Sequence, residues 1–348
     1  MRALRSLRPD ARFVGFGGRA LCAEGVELLE PLAENPVMGF ARVLPAIGRF
    51  VRLLNGADRF FAATPPSLVV PVDYPGFNVR LARLAKRRGI PTAYYICPQY
   101  WAWAPWRVGR FARSVDLGLT ILPFEAGFLA RHGVRALHVG HPLADRLVSA
   151  RAADDDADAL ALLPGSRRLE IEHLLGWQLR AAQRLAAATG RPIRCVSTHP
   201  RQEARDAIAA AARAAGVKLE VSDRPLPQLL RECRAALVAS GTATLECALL
   251  RVPSVIVYHV NRFMLRASRF VLTSPFIGLP NLLAGRELFP EHLAVDVDEE
   301  RLAADLASLW NDGDTREGCL RGLDELRRRV LVPGAAEKAA AAIVELLR

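Results

Sequence analysis

The chain reads as an α/β protein made of two doubly wound domains, and three observations predict this. Short apolar runs alternate with helical patterns along nearly the whole sequence, as in parallel sheets whose strands are returned by helices. The stretch Ser149 to Asp158, with Asp154-Asp155-Asp156, interrupts the alternation, and the pattern then restarts. Finally, 348 residues is enough for about two domains of ~150 residues each.

In the first half, strands are expected at Arg12 to Phe16, Ser67 to Val72, Thr92 to Cys97, Leu117 to Leu122 and Ala136 to Val139. Helical patterns lie between them, for example Val79 to Arg88. After the acidic stretch come strands Ala159 to Leu163, Ile193 to Thr198, Leu219 to Val221, Ala235 to Ala239 and Ser254 to Tyr258. The intervening helices are Glu170 to Ala188, Glu203 to Ala215 and Thr244 to Leu250. Expected boundaries are 1–148 for an acceptor-side Rossmann-like domain and 149–330 for a donor-side one. The last segment, 331–348, is expected to be a helix crossing back to the first domain. Open α/β sheets bind ligands at the carboxyl ends of their strands, so the two domains are expected to face each other across a ligand cleft. Met1 to Leu7 reads as the second half of a helix, so the first βα unit is expected to be missing.

Composition narrows the partners. An apolar fraction of 51% with 24% charged residues is that of a globular chain able to bury real cores. The formal net charge is +11 and is carried almost wholly by arginine, since lysine occurs only at Lys86, Lys218 and Lys338. Such a surface favours anions: nucleic acid, acidic membrane or phosphorylated substrate. Nucleic acid is the weakest of these, because the arginines are dispersed and no nucleic-acid module is present. The six cysteines form no C-x-x-C pair and several sit in apolar stretches, which suits reduced thiols in a cytosolic protein. No signal peptide and no apolar run of about 18 residues is found.

Two segments read as phosphate-binding turns. One is Leu163-Pro164-Gly165-Ser166-Arg167; the other is Ser240-Gly241-Thr242-Ala243-Thr244-Leu245-Glu246. Each follows an apolar strand and leads into a helix, whose first N–H groups and dipole favour an anion. Gly165 lets the backbone approach a ligand, Ser166 offers a hydroxyl, and Arg167 offers a planar fork of donors to a diphosphate. The plainer alternative for Arg167 is a surface arginine beside Arg168.

Seven segments, in order, resemble the lipid-A-disaccharide synthase family of GT-B glycosyltransferases. They are Val72-Asp73-Tyr74-Pro75-Gly76-Phe77-Asn78, Pro98-Gln99-Tyr100-Trp101-Ala102-Trp103, Leu122-Pro123-Phe124-Glu125, Val139 to Asp145, Leu163 to Arg167, Ser240 to Glu246, and Leu279 to Glu287. The family opens on a strand and a Gly-rich Ser-Gly-Asp loop that this sequence lacks. The resemblance implies an inverting transfer from a UDP-activated diacylglucosamine to diacylglucosamine 1-phosphate. The products are the β-1,6-linked lipid A disaccharide and UDP. It further implies a bacterial protein, peripheral on the inner face of the cytoplasmic membrane, with a homodimer as an open expectation. No metal or cofactor is expected.

The family match makes Asp73 the candidate base, at the carboxyl end of its strand; the alternative is an Asp that caps the next helix or orders the turn. Ser240, Gly241, Thr242 and Thr244 would surround the diphosphate, and Glu246 would bind the ribose or merely complement the helix dipole. Asn281 and Glu287 are expected to line the donor cleft. His141 is read as a hinge residue at least as readily as a base. Val37 to Leu54 has an apolar face (Phe40, Val43, Leu44, Ile47, Phe50, Val51, Leu54) beside Arg42, Arg49 and Arg52. It is expected to meet acyl chains and membrane, the alternative being an ordinary core-facing helix. Arg262, Arg266 and Arg269 form a second basic stripe, and Trp101, Trp103 and Trp106 are interfacial anchors or core. Two other readings stay open: another UDP-sugar GT-B enzyme, with a different lipid acceptor or an epimerase activity, and a catalytically inactive nucleotide- or lipid-binding relative.

Overall fold

Every strand pairing among the described residues is parallel. A computed structural model describes residues 1–31, 43–102, 104–154, 156–262 and 274–347, without the side chains of residues 31 and 43–47. The chain divides into two units: Met1–Pro142 with Gly334–Arg348, and Leu143–Pro333.

The first unit begins with α1 (Arg2–Leu7), β1 (Val14–Gly17), α2 (Arg19–Ala23) and β2 (Glu27–Pro31), and β1 pairs with β2. It continues with α3 (Val43–Ala63), α4 (Pro75–Arg87), β3 (Ala93–Tyr95), α5 (Val108–Ala112), β4 (Leu117–Thr120), α6 (Glu125–Ala130) and β5 (Ala136–His138). The second sheet has the order β3-β4-β5. The strand expected over Ser67 to Val72 is present only as two bridges to the β3 segment, Val69 to Thr92 and Val72 to Tyr95. Pro71 explains the gap: it has no N–H to give the ladder, although its carbonyl still accepts from the Tyr95 amide at 2.8 Å.

Leu53, Ala57 and Phe61 of α3 pack on Phe77, Leu81 and Ala85 of α4, with Phe50 and Leu54 against the same cluster. Each fully buried Leu or Phe of this cluster contributes about 1.5–3 kcal/mol, and the alanines less. The described part of the expected acyl-binding face is therefore mainly core-facing; Val51, 50% exposed, is the exception. Phe40 and Arg42 lie outside the described residues, as do Trp103, Arg266 and Arg269. The C-terminal helix, Ala335–Glu345, adds Ala339, Ala342 and Ile343 to a cluster with Leu117, Leu119 and Val139.

The second unit runs α7 (Pro142–Leu147, beginning at the boundary), β6 (Ala159–Leu163), α8 (Arg168–Thr189), β7 (Arg194–Thr198), α9 (Gln202–Ala214), β8 (Leu219–Ser222), α10 (Leu226–Leu229) and β9 (Cys233–Ala239). There follow α11 (Thr242–Leu249), β10 (Ser254–His259), α12 (Leu279–Ala284), β11 (Glu291–Ala294), α13 (Glu299–Trp310) and α14 (Asp314–Val330). The sheet order is β11-β10-β9-β6-β7-β8. All five residues of β6 are buried, as are six of the seven in β9, as befits inner strands covered on both faces. The acidic stretch belongs to this unit: the Asp154 amide donates to the Arg231 carbonyl at 2.9 Å.

Candidate active site

In the second unit the strand order reverses between β6 and β9, which pair through Leu163 and Val238. That reversal is the switch point at which open α/β sheets bind ligands beyond the carboxyl ends of their strands. The two small-residue turns, 164–167 and 240–241, follow these two strands and are therefore neighbours.

The two turns differ in how their N–H groups are used. In the first, the Glu170 carboxylate folds back and accepts from the amides of Ser166 (3.0 Å) and Arg167 (3.2 Å). It also accepts from the Arg167 guanidinium at 2.5 Å. The amides expected to be open are thus occupied, and Arg167 is held by its own helix. Gly165 makes room for this: with φ +108, a Cβ there would lie 2.5 Å from Glu170 Oε2. Its small size serves Glu170 packing.

In the second turn the amides of Gly241, Thr242 and Ala243 have no acceptor among the described residues. Thr244, fully buried, donates its hydroxyl to the Gly241 carbonyl at 2.7 Å, so it braces the turn. The Ser240 amide joins the sheet, donating to Val257. One turn further on, the Glu246 side chain is 9% exposed and has no hydrogen bond among the described residues. Burial pushes its pKa up, and the nearby Arg146 offsets part of that.

Sequence reasoning missed a third turn at this edge. After β7, buried His199 accepts from the Arg201 amide through Nδ1 at 3.1 Å, which leaves the proton on Nε2, 3.4 Å from the Ser166 carbonyl. The Arg201 guanidinium donates to the same carbonyl at 2.6 Å. The signal was present in His199-Pro200-Arg201, another strand-to-helix turn. His259 at the end of β10 stacks on His173 with centroids 3.9 Å apart and 9° between the planes. Burial first and His173 second lower the His259 pKa.

Asn281 lies in α12, which packs against α11, and Glu287 follows that helix. The Asn281 amide donates to the Phe289 carbonyl (2.7 Å) and Glu291 (2.8 Å) and accepts from the amides of Leu288 (2.8 Å) and Phe289 (2.9 Å). Both its donors and both its lone pairs are used, so it braces the segment leading into β11 and has none left for the expected cleft. Glu287 is exposed and has no partner among the described residues. Two Asp-x-Asp spacings also have structural uses: Asp298 caps α13, and Asp312 pairs with Arg234.

In the first unit, Asp73, the Pro98–Trp101 segment, Glu125 and His141 all follow strand ends at the carboxyl edge of the sheet. Asp73 has φ +48 and Tyr74 φ +47, a left-handed pair costing about 1–2 kcal/mol per residue. Two side chains hold it: Tyr94 Oη donates to the Asp73 carbonyl at 2.7 Å, and Asn78 Nδ2 donates to the carbonyls of Val72 and Asp73, both at 2.8 Å. Asp73 does not cap α4, whose N-cap is Tyr74. Its exposed carboxylate accepts no hydrogen bond among the described residues.

Buried Glu125 is a further residue whose role the sequence did not reveal. It accepts from Trp101 Nε1 (2.9 Å) and from the amides of Ile121 (3.2 Å) and Leu122 (3.0 Å). Burial raises its pKa, and those three donors oppose the rise. Trp101 is thereby fixed edge-on against Phe124, 4.7 Å between centroids. Burial lowers the pKa of His141 to about 4, so its ring is neutral at pH 7.

Parallel α/β architecture in each unit and paired turns at a switch point are those of the GT-B fold. A glycosyltransferase of kitacinnamycin shares the fold, with a TM-score of 0.61 at 16% identity, covering 99% of this chain and 94% of that one. The chain belongs to the lipid-A-disaccharide synthase family, whose profile matches residues 1–329. The lipid-A-disaccharide synthase of Myxococcus xanthus (strain DK1622) is 41% identical over 99% of this chain and 92% of its own length. That of Erwinia tasmaniensis is 37% identical over 100% of this chain and 94% of its own.

Proposed function

We propose that the chain transfers an acylated glucosamine from UDP to an acylated glucosamine 1-phosphate, with inversion at the anomeric carbon. The observation that carries this reading is the turn after β9: three amides beside a buried carboxylate, none of them hydrogen-bonded among the described residues. The amides of Gly241, Thr242 and Ala243 would take the diphosphate, and Glu246 the ribose hydroxyls. Arg167, if released from Glu170, and Arg201 would add positive charge.

Asp73 would accept the proton from the acceptor hydroxyl as that oxygen bonds to the anomeric carbon. The bond from that carbon to the diphosphate oxygen breaks, and its electron pair leaves with UDP. A carboxylate aimed outward from a strained, braced turn suits a base that must meet a substrate hydroxyl. The acyl chains make a membrane surface, the inner face of the cytoplasmic membrane, the source of both substrates; Val51 and Trp106, 50% and 68% exposed, suit that contact. No helix among the described residues is long and apolar enough to cross a membrane. Self-association into a homodimer belongs to the same proposal, and the mass in solution checks it.

The test is product analysis with a UDP-diacylglucosamine donor and the 1-phosphate acceptor, alongside Asp73→Asn. Disaccharide and UDP are expected from the native chain. The variant should keep UDP binding and lose turnover by about two or more orders of magnitude. Near-normal turnover of the variant would remove Asp73 as base, and UDP-sugar consumption without disaccharide would remove the reaction.

A further inference from the structure

A second cationic site lies in the first unit. A pocket of about 560 Å³ is lined by Arg83, Lys86, Arg87, Arg110, Arg113 and Ser114. Its volume falls in the range of small-molecule sites, about 300–1,000 Å³. Its lining suits a highly charged ligand far better than an apolar one.

The pocket is remote from Asp73. Arg83 to Arg87 form the last turns of α4, just before β3, while Arg110 and Arg113 lie at the end of α5, just before β4. These positions are at the amino edge of the sheet, whereas Asp73 is at the carboxyl edge. The axial rise along α4 alone, from Pro75 to Arg87, is about 18 Å.

Charge balance favours an anionic ligand here. Lys86 pairs with Asp116, but the guanidiniums of Arg83, Arg87, Arg110 and Arg113 have no acceptor among the described residues. Cations in the last turn of a helix complement its dipole, which accounts for Lys86, Arg87 and Arg110 singly. The dipole does not account for two helices turning their cations into one concavity, where the like charges repel. A bound anion reverses that repulsion, and guanidiniums match phosphate oxygens in pairs.

We infer that this pocket binds a multiply charged phosphate group, as a soluble diphosphate or as a phospholipid headgroup. The inference is independent of the catalytic reading. Its test compares the full native chain with Arg87→Gln/Arg113→Gln and with Arg87→Lys/Arg113→Lys. One arm titrates inorganic pyrophosphate with saturating UDP present; the other measures flotation with phosphatidylglycerol–phosphatidylcholine vesicles against phosphatidylcholine alone.

The glutamine pair should lose affinity about tenfold or more in at least one arm, the lysine pair should retain most of it, and added salt should weaken it. Loss in the pyrophosphate arm alone identifies a soluble ligand, and loss in the vesicle arm alone identifies a headgroup. If the folded glutamine pair matches the native chain in both arms, the inference is overturned. An unfolded glutamine pair is replaced by the single variants Arg83→Gln and Arg110→Gln, judged by the same criterion.

Discussion

The turns after β6 and β9 share one grammar, an inner strand, a glycine and a helix, yet one is closed by its own chain and the other is open. The residue three places after the helix cap makes the difference. After Arg167 that position holds Glu170, whose carboxylate reaches back to the amides of Ser166 and Arg167. After Gly241 it holds Thr244, whose hydroxyl donates to a carbonyl and leaves the amides alone. A carboxylate at this place completes a capping box, and a donor does not. Matching turns at a switch point therefore need not be equivalent anion sites: one can carry its own anion.

Of the changes that act on this contrast, deleting an open amide should have the largest effect. Thr242 is the first residue of α11, a position where proline is tolerated, so Thr242→Pro removes one N–H and keeps the helix. UDP affinity, read by calorimetry, should fall about tenfold, the worth of one charge-assisted hydrogen bond. A folded variant with native affinity would show that the open turn is not the diphosphate site.

Opening the closed turn should do the reverse. Glu170→Ala removes the carboxylate from the Ser166 and Arg167 amides, and denaturant unfolding should show a loss of about 0.5–2 kcal/mol, as for other helix caps. UDP affinity should not fall. A tenfold fall would mean that Glu170 organises the ligand site, and the contrast between the turns would fail.

Much of this architecture could be read from residues. The alternation of strands and helices and the two glycine turns follow from local patterns, and β6, fully apolar, keeps the expected bounds of Ala159–Leu163. The strand expected before Asp73 was degraded by Pro71, a local effect visible in the sequence but weaker than the pull of its valines. Long-range partners were not legible. Nothing near Asn281 in sequence says that its amide is spent on Phe289 and Glu291. Nor does Trp101 reveal its bond to Glu125, 24 residues away. The strand order that makes the two turns neighbours is likewise a property of the assembled sheet.

The smallest effect, and the one that separates ligand binding from folding most cleanly, concerns Glu246. Burial raises the pKa of this carboxyl, and Arg146 only partly offsets the rise. Below the ordinary carboxyl pKa near 4.5 the group is protonated whether the chain is folded or not, and its burial as the neutral acid carries no ionisation penalty. As pH rises through the folded pKa, the unfolded chain ionises more readily than the folded one, so folding loses stability. Glu246→Gln removes that titration. Thermal unfolding should therefore show the variant more stable than the native chain at pH 7, with the difference shrinking toward pH 4. Its UDP affinity should move the other way, falling about threefold to fivefold as hydroxyl donors lose a charged acceptor. A variant that is both less stable at pH 7 and unchanged in UDP affinity would make Glu246 a packing residue, and leave the ribose without a contact from this helix.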